Sequence, residues 1–267
     1  MTELSRLIQT GADAAGDRED ALWLLSSVLR RPRAELILNK NAAIDDSVAA
    51  RFLSMCKRRS LGEPVQYITN SAEFMGLEFY VDERVLIPRA DTETLCEYAI
   101  SRGGARVLDL CCGSGCIGLA YKRFRPESEV TLADISEGAL EVTRKNAEAL
   151  GLSVRVLRAD LFDCPFEDGA FDMILTNPPY IKRGDLAGLP REVRREPALA
   201  LDGGDDGLDF YRALMRWKRV LAPGGELVAE AGFDTAEAVF GLFTEHFHGV
   251  TLTRDLSGVP RVIKGVK

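Results

Sequence analysis

Arg106-Val107-Leu108-Asp109-Leu110-Cys111-Cys112-Gly113-Ser114-Gly115 is the stretch on which the fold turns. A five-residue strand pattern, Arg106 to Leu110, runs into a loop of cysteines and glycines, and residues 115–123 continue with helical spacing. The glycines let the backbone turn tightly and come close to a ligand. Gly113, Gly115 and Gly118 fit G-x-G-x-x-G, a pattern that carries weight only between a strand and a helix, as here. The next strand, Val130-Thr131-Leu132-Ala133-Asp134, ends in an acid. A carboxylate there can accept both hydroxyls of a ribose. Strand, loop, helix, strand and acid together point to a cofactor that contains adenosine; the plain alternative is a tight turn followed by a solvated acid.

Outward from this unit the pattern repeats. Strands are expected over 106–110, 129–133, 153–158, 171–176, 225–231, 249–254 and 260–264, with helices over 115–123, 136–150 and 205–221. Such alternation predicts an α/β fold, a Rossmann-like seven-stranded sheet, largely parallel, with helices on both faces. Residues 1–72 read as a helical domain. Asp20 to Leu29 has apolar residues at helical spacing, Arg30 and Arg31 suit its carboxyl end, and Pro32 stops it. A short helix follows over Arg33 to Leu38, and Asp46 or Ser47 can cap a third through Ala49, Phe52, Leu53 and Met55. Residues 73–88 read as a β-hairpin linker. The α/β domain then spans 89–267, opening on a helix from Asp91 to Ile100.

The chain has 267 residues, 46% hydrophobic and 28% charged, enough for a sizeable core. No apolar run approaches the roughly 18 residues of a membrane helix. The start, Met1-Thr2-Glu3-Leu4-Ser5-Arg6, lacks the basic-then-apolar pattern of a secretory signal, so a cytoplasmic location is expected. The net charge of −7 speaks against a stand-alone nucleic-acid binder, which needs cations to neutralise phosphate. The six cysteines read as free thiols, and Cys111, Cys112 and Cys116 lack the paired spacing of a zinc site, so no metal is expected. His246 and His248 flank Phe247 with no carboxylate or cysteine motif beside them and suggest a strand face or turn.

Asp109 helps to choose among adenosine cofactors. A pyrophosphate would sit over the helix N-terminus, where a carboxylate at the end of the strand repels it. The same carboxylate suits an amino group or a sulfonium, which favours S-adenosylmethionine. Asp160 and Leu161 follow the third strand, where they can contact an adenine or simply cap a helix and fill the core.

A second motif, Asn177-Pro178-Pro179-Tyr180, ends the fourth strand. Two prolines remove two backbone donors and stiffen the chain. What remains is a set of acceptors, which is what an –NH₂ group needs. The Asn177 amide oxygen and the Pro178 carbonyl can hold both N–H bonds of a conjugated amide or aryl amine, and Tyr180 offers a flat face. Catalysis is then mostly positioning of the nitrogen, with electrostatic stabilisation of the charge it develops. Asn177, Pro178 and Tyr180 are the candidate catalytic residues.

With these motifs in view, the chain resembles the release-factor glutamine methyltransferases (the PrmC/HemK family). The likeness rests on Gly62-Glu63-Pro64-Val65-Gln66-Tyr67-Ile68, Glu73-Phe74, Leu86-Ile87-Pro88-Arg89 with Thr92-Glu93, and Asn177-Pro178-Pro179-Tyr180-Ile181. It continues through Glu196-Pro197-Ala198, Asp202-Gly203-Gly204-Asp205-Asp206-Gly207-Leu208-Asp209 and Asp255-Leu256-Ser257-Gly258. The resemblance implies a class I methyltransferase domain that moves a methyl group from S-adenosylmethionine, leaving S-adenosylhomocysteine, to the N5 side-chain nitrogen of the glutamine in the Gly-Gly-Gln motif of class-1 peptide chain release factors. It implies cofactor contacts at Cys111, Cys112, Gly113, Ser114, Gly115, Asp134, Leu161 and Asn177, to which the residues themselves add Asp109 and Asp160, and substrate contacts at Asn177, Pro178, Pro179 and Tyr180, with Arg89 a further substrate candidate. It also implies a helical domain that binds the release factor, and a monomer is expected. The sequence departs from the family's usual threonine at Cys112, proline at Ala90 and large aromatic at Leu161.

Three other functions fit parts of the pattern. An adenine-N6 methyltransferase uses the same four-residue loop, but must extrude its base and normally carries a basic groove. A non-enzymatic cofactor-binding partner of the translation apparatus has no need of an intact Asn177 and both prolines. A dehydrogenase fits only the glycine pattern.

Overall fold

The computed structural model describes residues 1–39 and 41–267. The chain divides into two compact units: residues 1–71 with 190–195, and residues 72–189 with 196–267. In the first unit β1 (Thr2–Glu3) leads into α1 (Leu4–Ala15), α2 (Arg18–Leu29) and α3 (Arg33–Leu38). β2 (Ala43–Ile44), antiparallel to β1, precedes α4 (Asp46–Ser60) and α5 (Val65–Thr69). α1 buries Leu4, Leu7, Ile8, Gly11 and Ala15, the one-sided stripe of an amphipathic helix. Asp17 caps α2 by accepting from the Asp20 amide at 2.8 Å, and α2 ends where Arg30 turns left-handed at φ 53°. Asp45, one residue before the expected cap, accepts from Ser47 at the start of α4. Residues 190–195 join this unit from far along the chain: Glu192 lies 3.4 Å from Arg59, and Arg195 donates to the Leu61 carbonyl at 3.2 Å.

The second unit opens with β3 (Ala72–Phe74) and β4 (Leu77–Phe79), joined by Met75 and Gly76 at φ 53° and 70°. Two positive φ values in a two-residue turn match the right-handed twist of a hairpin. Phe74 and Phe79 are fully buried, edge to face at 6.3 Å. The stretch read as a linker therefore belongs to the core of this unit.

α6 (Ala90–Arg102) follows, then β5 (Arg106–Leu110), α7 (Cys116–Phe124), β6 (Glu129–Asp134), α8 (Glu137–Ala149), β7 (Arg155–Arg158) and β8 (Phe171–Thr176). The chain continues through α9 (Asp209–Leu214), a 3₁₀ turn over Met215–Val220, β9 (Leu221–Glu230), α10 (Ala236–His246), β10 (His248–Arg254) and β11 (Pro260–Val266). The sheet order is β10-β11-β9-β8-β5-β6-β7, with β11 antiparallel to both neighbours and the other paired strands parallel. The order reverses at β5 and β8, so the loops leaving these strands diverge and open a crevice. Leu110 pairs with Thr176 there, which brings out Cys111 and Asn177 side by side.

Three expectations are corrected. The helix expected over 205–221 is reduced to α9 and the 3₁₀ turn, because residues 202–208 wrap the loop after β8 instead. α10 was not expected; no side chain caps its start, although Val239 and Phe243 bury its apolar face. His246 ends α10 and His248 begins β10, both exposed, rather than sharing one strand.

Candidate functional site

An open cleft of about 900 Å³ lies over the carboxyl ends of the parallel strands. Cys111 and Gly113 after β5, Asp134 after β6, Asp160 and Leu161 after β7, and Asn177 and Pro179 after β8 all line it. Val85 and Leu86 on one side and Pro197, Leu199 and Ala200 on the other complete the wall. Glu196, 5% exposed, ties these two segments together: it accepts from the Ile87 amide at 2.9 Å and pairs with Arg89. Burial pushes its carboxyl up, and the Arg89 guanidinium pulls it back. Arg89, expected to touch substrate, is thus engaged within the wall and is not among the residues that line the cleft.

Asp134 accepts from the Gly113 amide and from the Ser136 amide, each at 2.9 Å. These bonds fix the loop after β5 against the end of β6. Burial raises the Asp134 pKa, and the amides of Ser136 and Gly113 oppose the shift. Ile135, Ala159, Leu161, Phe162 and Phe210 make an apolar surface beside it, and the Phe162 and Phe210 rings meet at 5.3 Å. A carboxylate acceptor next to flat apolar walls fits an adenosine group: hydroxyls to the acid, base to the walls. Leu161 is 5% exposed and its carbonyl accepts from Trp217 at 2.7 Å, while Asp160 accepts from the Phe162 amide at 2.8 Å.

Asp109, Cys112, Ser114 and Gly115 do not line the cleft. Side chains alternate along a strand, so Leu108 and Leu110 face one core, while Val107 faces the other and Asp109 points toward α7. Its Oδ2 accepts from the Gly118 amide at 2.8 Å, it has no exposed surface, and its Oδ1 has no partner among the described residues. Burial pushes its pKa up to about 7 against the opposing pull of that amide. The charge argument drawn from Asp109 at the cofactor surface therefore has no geometric support. Cys112 packs beside Thr143 at 3.6 Å, and the Ser114 carbonyl accepts from Asn146. Burial raises the Cys96, Cys111, Cys112 and Cys116 thiols, so none is an activated nucleophile. Cys111 adopts φ 61°, a conformation that favours glycine. Among the described residues no cluster of three or more side chains could hold a metal ion. No described helix is long and apolar enough to cross a membrane.

The loop after β8 is held from behind. Asn177 Nδ2 donates to Thr92 Oγ1 at 3.2 Å, which leaves its Oδ1 as the acceptor end. Pro178 is buried and Tyr180 packs inward, its ring against Gly232 and its hydroxyl 3.5 Å from Glu230. Neither lines the cleft, so Tyr180 anchors the loop here rather than offering a face. Residues 202–209 close over the loop backbone. Ile181 donates to the Leu201 carbonyl at 3.0 Å, and Gly203 to the Ile181 carbonyl at 2.8 Å. A Cβ on Gly203 would stand 2.7 Å from Tyr180 Cα, which explains a residue without a side chain there. Arg183 pairs with Asp202 and Asp205 at 3.1 and 2.7 Å. Thr92 and Glu230 carried no recognisable role in the sequence, because each meets Asn177 or Tyr180 only through the fold.

Comparison with known proteins agrees with this geometry. The family described as PrmC N-terminal domain matches residues 5–69, and the Methyltransferase small domain matches residues 90–189. A release factor glutamine methyltransferase of Geobacter sulfurreducens is 40% identical over 97% of this chain and 92% of its own length. Proteins of the same description from Neisseria gonorrhoeae and Bordetella pertussis are 39% and 37% identical, covering 92% and 99% of both chains respectively. A solved methyltransferase from Pyrococcus furiosus shares the fold with a TM-score of 0.56 at 18% identity, over 84% of this chain and 99% of that one.

Proposed function

We propose, for a chain that belongs to the release factor glutamine methyltransferase family, that it methylates the side-chain amide nitrogen of the glutamine in the Gly-Gly-Gln motif of class-1 peptide chain release factors. The cofactor is S-adenosylmethionine, the enzyme acts in the cytoplasm, and the helical unit of residues 1–71 binds the release factor. The observation that carries the reading is the Asn177 amide: its NH₂ end is committed to Thr92, so its oxygen is the end left for a substrate N–H.

When bound, S-adenosylmethionine supplies a methyl group made electrophilic by its sulfonium. Asp134 would hold the ribose hydroxyls, with Ile135, Leu161 and Phe162 against the base. Asn177 Oδ1 accepts one N–H bond of the substrate amide at the cleft, and the Pro178 carbonyl, set back from the cleft in this structure, accepts the other once the substrate is seated. A glutamine nitrogen is a poor nucleophile because its lone pair is delocalised into the carbonyl. Two acceptors on its hydrogens aim the nitrogen and favour a localised lone pair. They also stabilise the positive charge that grows on it. No strong base is needed beforehand, since one of the nitrogen's own two protons becomes acidic once the methyl is attached and leaves to water. The absence of an activated thiol from the loop agrees with a mechanism of positioning.

Methyl transfer from labelled S-adenosylmethionine tests the proposal, with an intact release factor beside one whose Gly-Gly-Gln glutamine is replaced and beside adenine-containing DNA. Label on the intact factor alone is expected. Label on DNA would move the function to adenine methylation. Asn177→Ala should abolish transfer while the fold and most cofactor binding remain; turnover like the wild type would remove the paired-acceptor mechanism.

A further inference from the structure

We propose that Thr92, backed by Glu230, is a positioning residue that decides which end of the Asn177 amide faces the cleft. The inference rests on the methyl-acceptor reading above and names the atoms that maintain it. The two ends of an asparagine amide have nearly the same shape but opposite hydrogen-bonding character. A half-turn about the last side-chain bond would present donors where the substrate N–H needs an acceptor.

Thr92 is 3% exposed and its Oγ1 lies 3.2 Å from Asn177 Nδ2. A hydroxyl both donates and accepts, so Thr92 can discriminate between the two amide orientations only if its own hydrogen is committed elsewhere. Glu230 is the neighbour that commits it. This carboxyl is 2% exposed, the Thr92 side chain lowers its pKa, and its Oε2 has no hydrogen-bond partner among the described residues. An ionised carboxylate only accepts. The Thr92 hydrogen then turns to Glu230, the Oγ1 lone pairs receive Asn177 Nδ2–H, and Asn177 Oδ1 is left for the substrate.

Protonation reverses the chain. A neutral Glu230 can donate to Thr92, whose hydrogen is then free for Asn177 Oδ1, and the amide turns over. The charged and titratable groups that act on Glu230 are Tyr180, Arg261, Asp91, Cys116 and Tyr211. Tyr180 approaches from the loop after β8, Arg261 on β11 pairs with Asp91 of α6 at 2.7 Å, Cys116 lies on α7 and Tyr211 on α9. Burial raises the Glu230 pKa to about 7, while Thr92, Arg261 and Tyr180 pull it down. The reversal therefore falls in a readily assayed pH range, and activity should decline as pH falls through it.

The test compares the full-length wild type with Thr92→Val, Thr92→Ser and Glu230→Gln in the release-factor assay from pH 6 to 9. Thr92→Val should lower kcat about tenfold, the worth of one such hydrogen bond, with KM for S-adenosylmethionine within about twofold. Thr92→Ser keeps the hydroxyl and should restore kcat. Glu230→Gln should lose the acid limb of the wild-type pH profile. A Thr92→Val enzyme as fast as wild type, a Thr92→Ser enzyme as slow as Thr92→Val, or an acid limb retained in Glu230→Gln would each overturn the assignment. Solvent exchange of the Asn177 Nδ2 protons, followed by NMR, needs no substrate. It should be slow in the wild type and faster in Thr92→Val, and equal rates would reject the proposal. A wild type that transfers no label to the release factor would reject the substrate reading, and the exchange measurement would then decide the Thr92 assignment alone.

Discussion

Gly203→Ala is the substitution whose effect follows most directly from the geometry. A methyl there would lie 2.7 Å from Tyr180 Cα and 2.8 Å from Tyr180 C, against 3.4 Å for ordinary contact. The shortfall of 0.7 Å cannot be relieved by a rotamer change, because both atoms are backbone. Either residues 202–209 lift or the Asn177–Tyr180 loop retreats. Overpacking of this kind costs about 1–3 kcal/mol, which in a domain of this size lowers Tm by roughly 2–12 °C. A misplacement near 1 Å costs about a hundredfold in rate, so a shift somewhat smaller should reduce kcat about 10- to 100-fold. Thermal melts and methyl-transfer kinetics measure both. Gly184→Ala is the control: it lies in the same part of the chain, and a Cβ there meets nothing within 4 Å. Wild-type turnover in Gly203→Ala, or an equal loss in Gly184→Ala, would refute the view that the 202–209 segment sets the position of the substrate loop.

Two further outcomes follow from the acids Asp134 and Asp109. Asp134→Ala should weaken S-adenosylmethionine binding by about 10- to 100-fold, the worth of hydrogen bonds to one charged acceptor; calorimetry measures it, and unchanged affinity would place the ribose elsewhere. Asp109 has its folded-state pKa raised to about 7 from an ordinary value of 3.8. Between these values the folded state binds the extra proton, so stability is fully present below about pH 4 and is lost as pH rises toward 7. The stability of Asp109→Asn relative to wild type should therefore increase from pH 5 to pH 8, read by urea denaturation at each pH. A difference independent of pH would show that Asp109 is ionised throughout.

Much of the architecture was legible because it depends on local pattern. Seven strand stretches, the Asp20–Leu29 helical region and the glycine loop all carry their periods and breakers within ten or so residues. α10 was less legible: Thr235 bonds back to the Gly232 carbonyl instead of capping the helix. The end of the stretch expected as one long helix failed for a different reason. Its first residue, Asp205, pairs with Arg183, and Gly203 and Gly204 just before it bond with Ile181 and Arg183, partners about twenty positions away.

The chemistry divides in the same way. Residue types at the ends of strands, Asp134 after β6 and Asn177-Pro178-Pro179-Tyr180 after β8, are written into the chain, and they determined the class of ligand and the kind of nucleophile. What only the tertiary structure decided is direction. One step of strand alternation turns Asp109 toward Gly118 rather than toward the cleft, and the long-range pairing of Glu196 occupies Arg89. Packing of α6 and β9 behind β8 brings Thr92 and Glu230 to Asn177 and Tyr180 across 85 and 50 residues. Sequence spacing encodes which groups exist and which element presents them. The orientation of an amide or a carboxylate is set by whichever hydrogen-bond partners arrive from elsewhere in the chain, and those exist only once the sheet has closed.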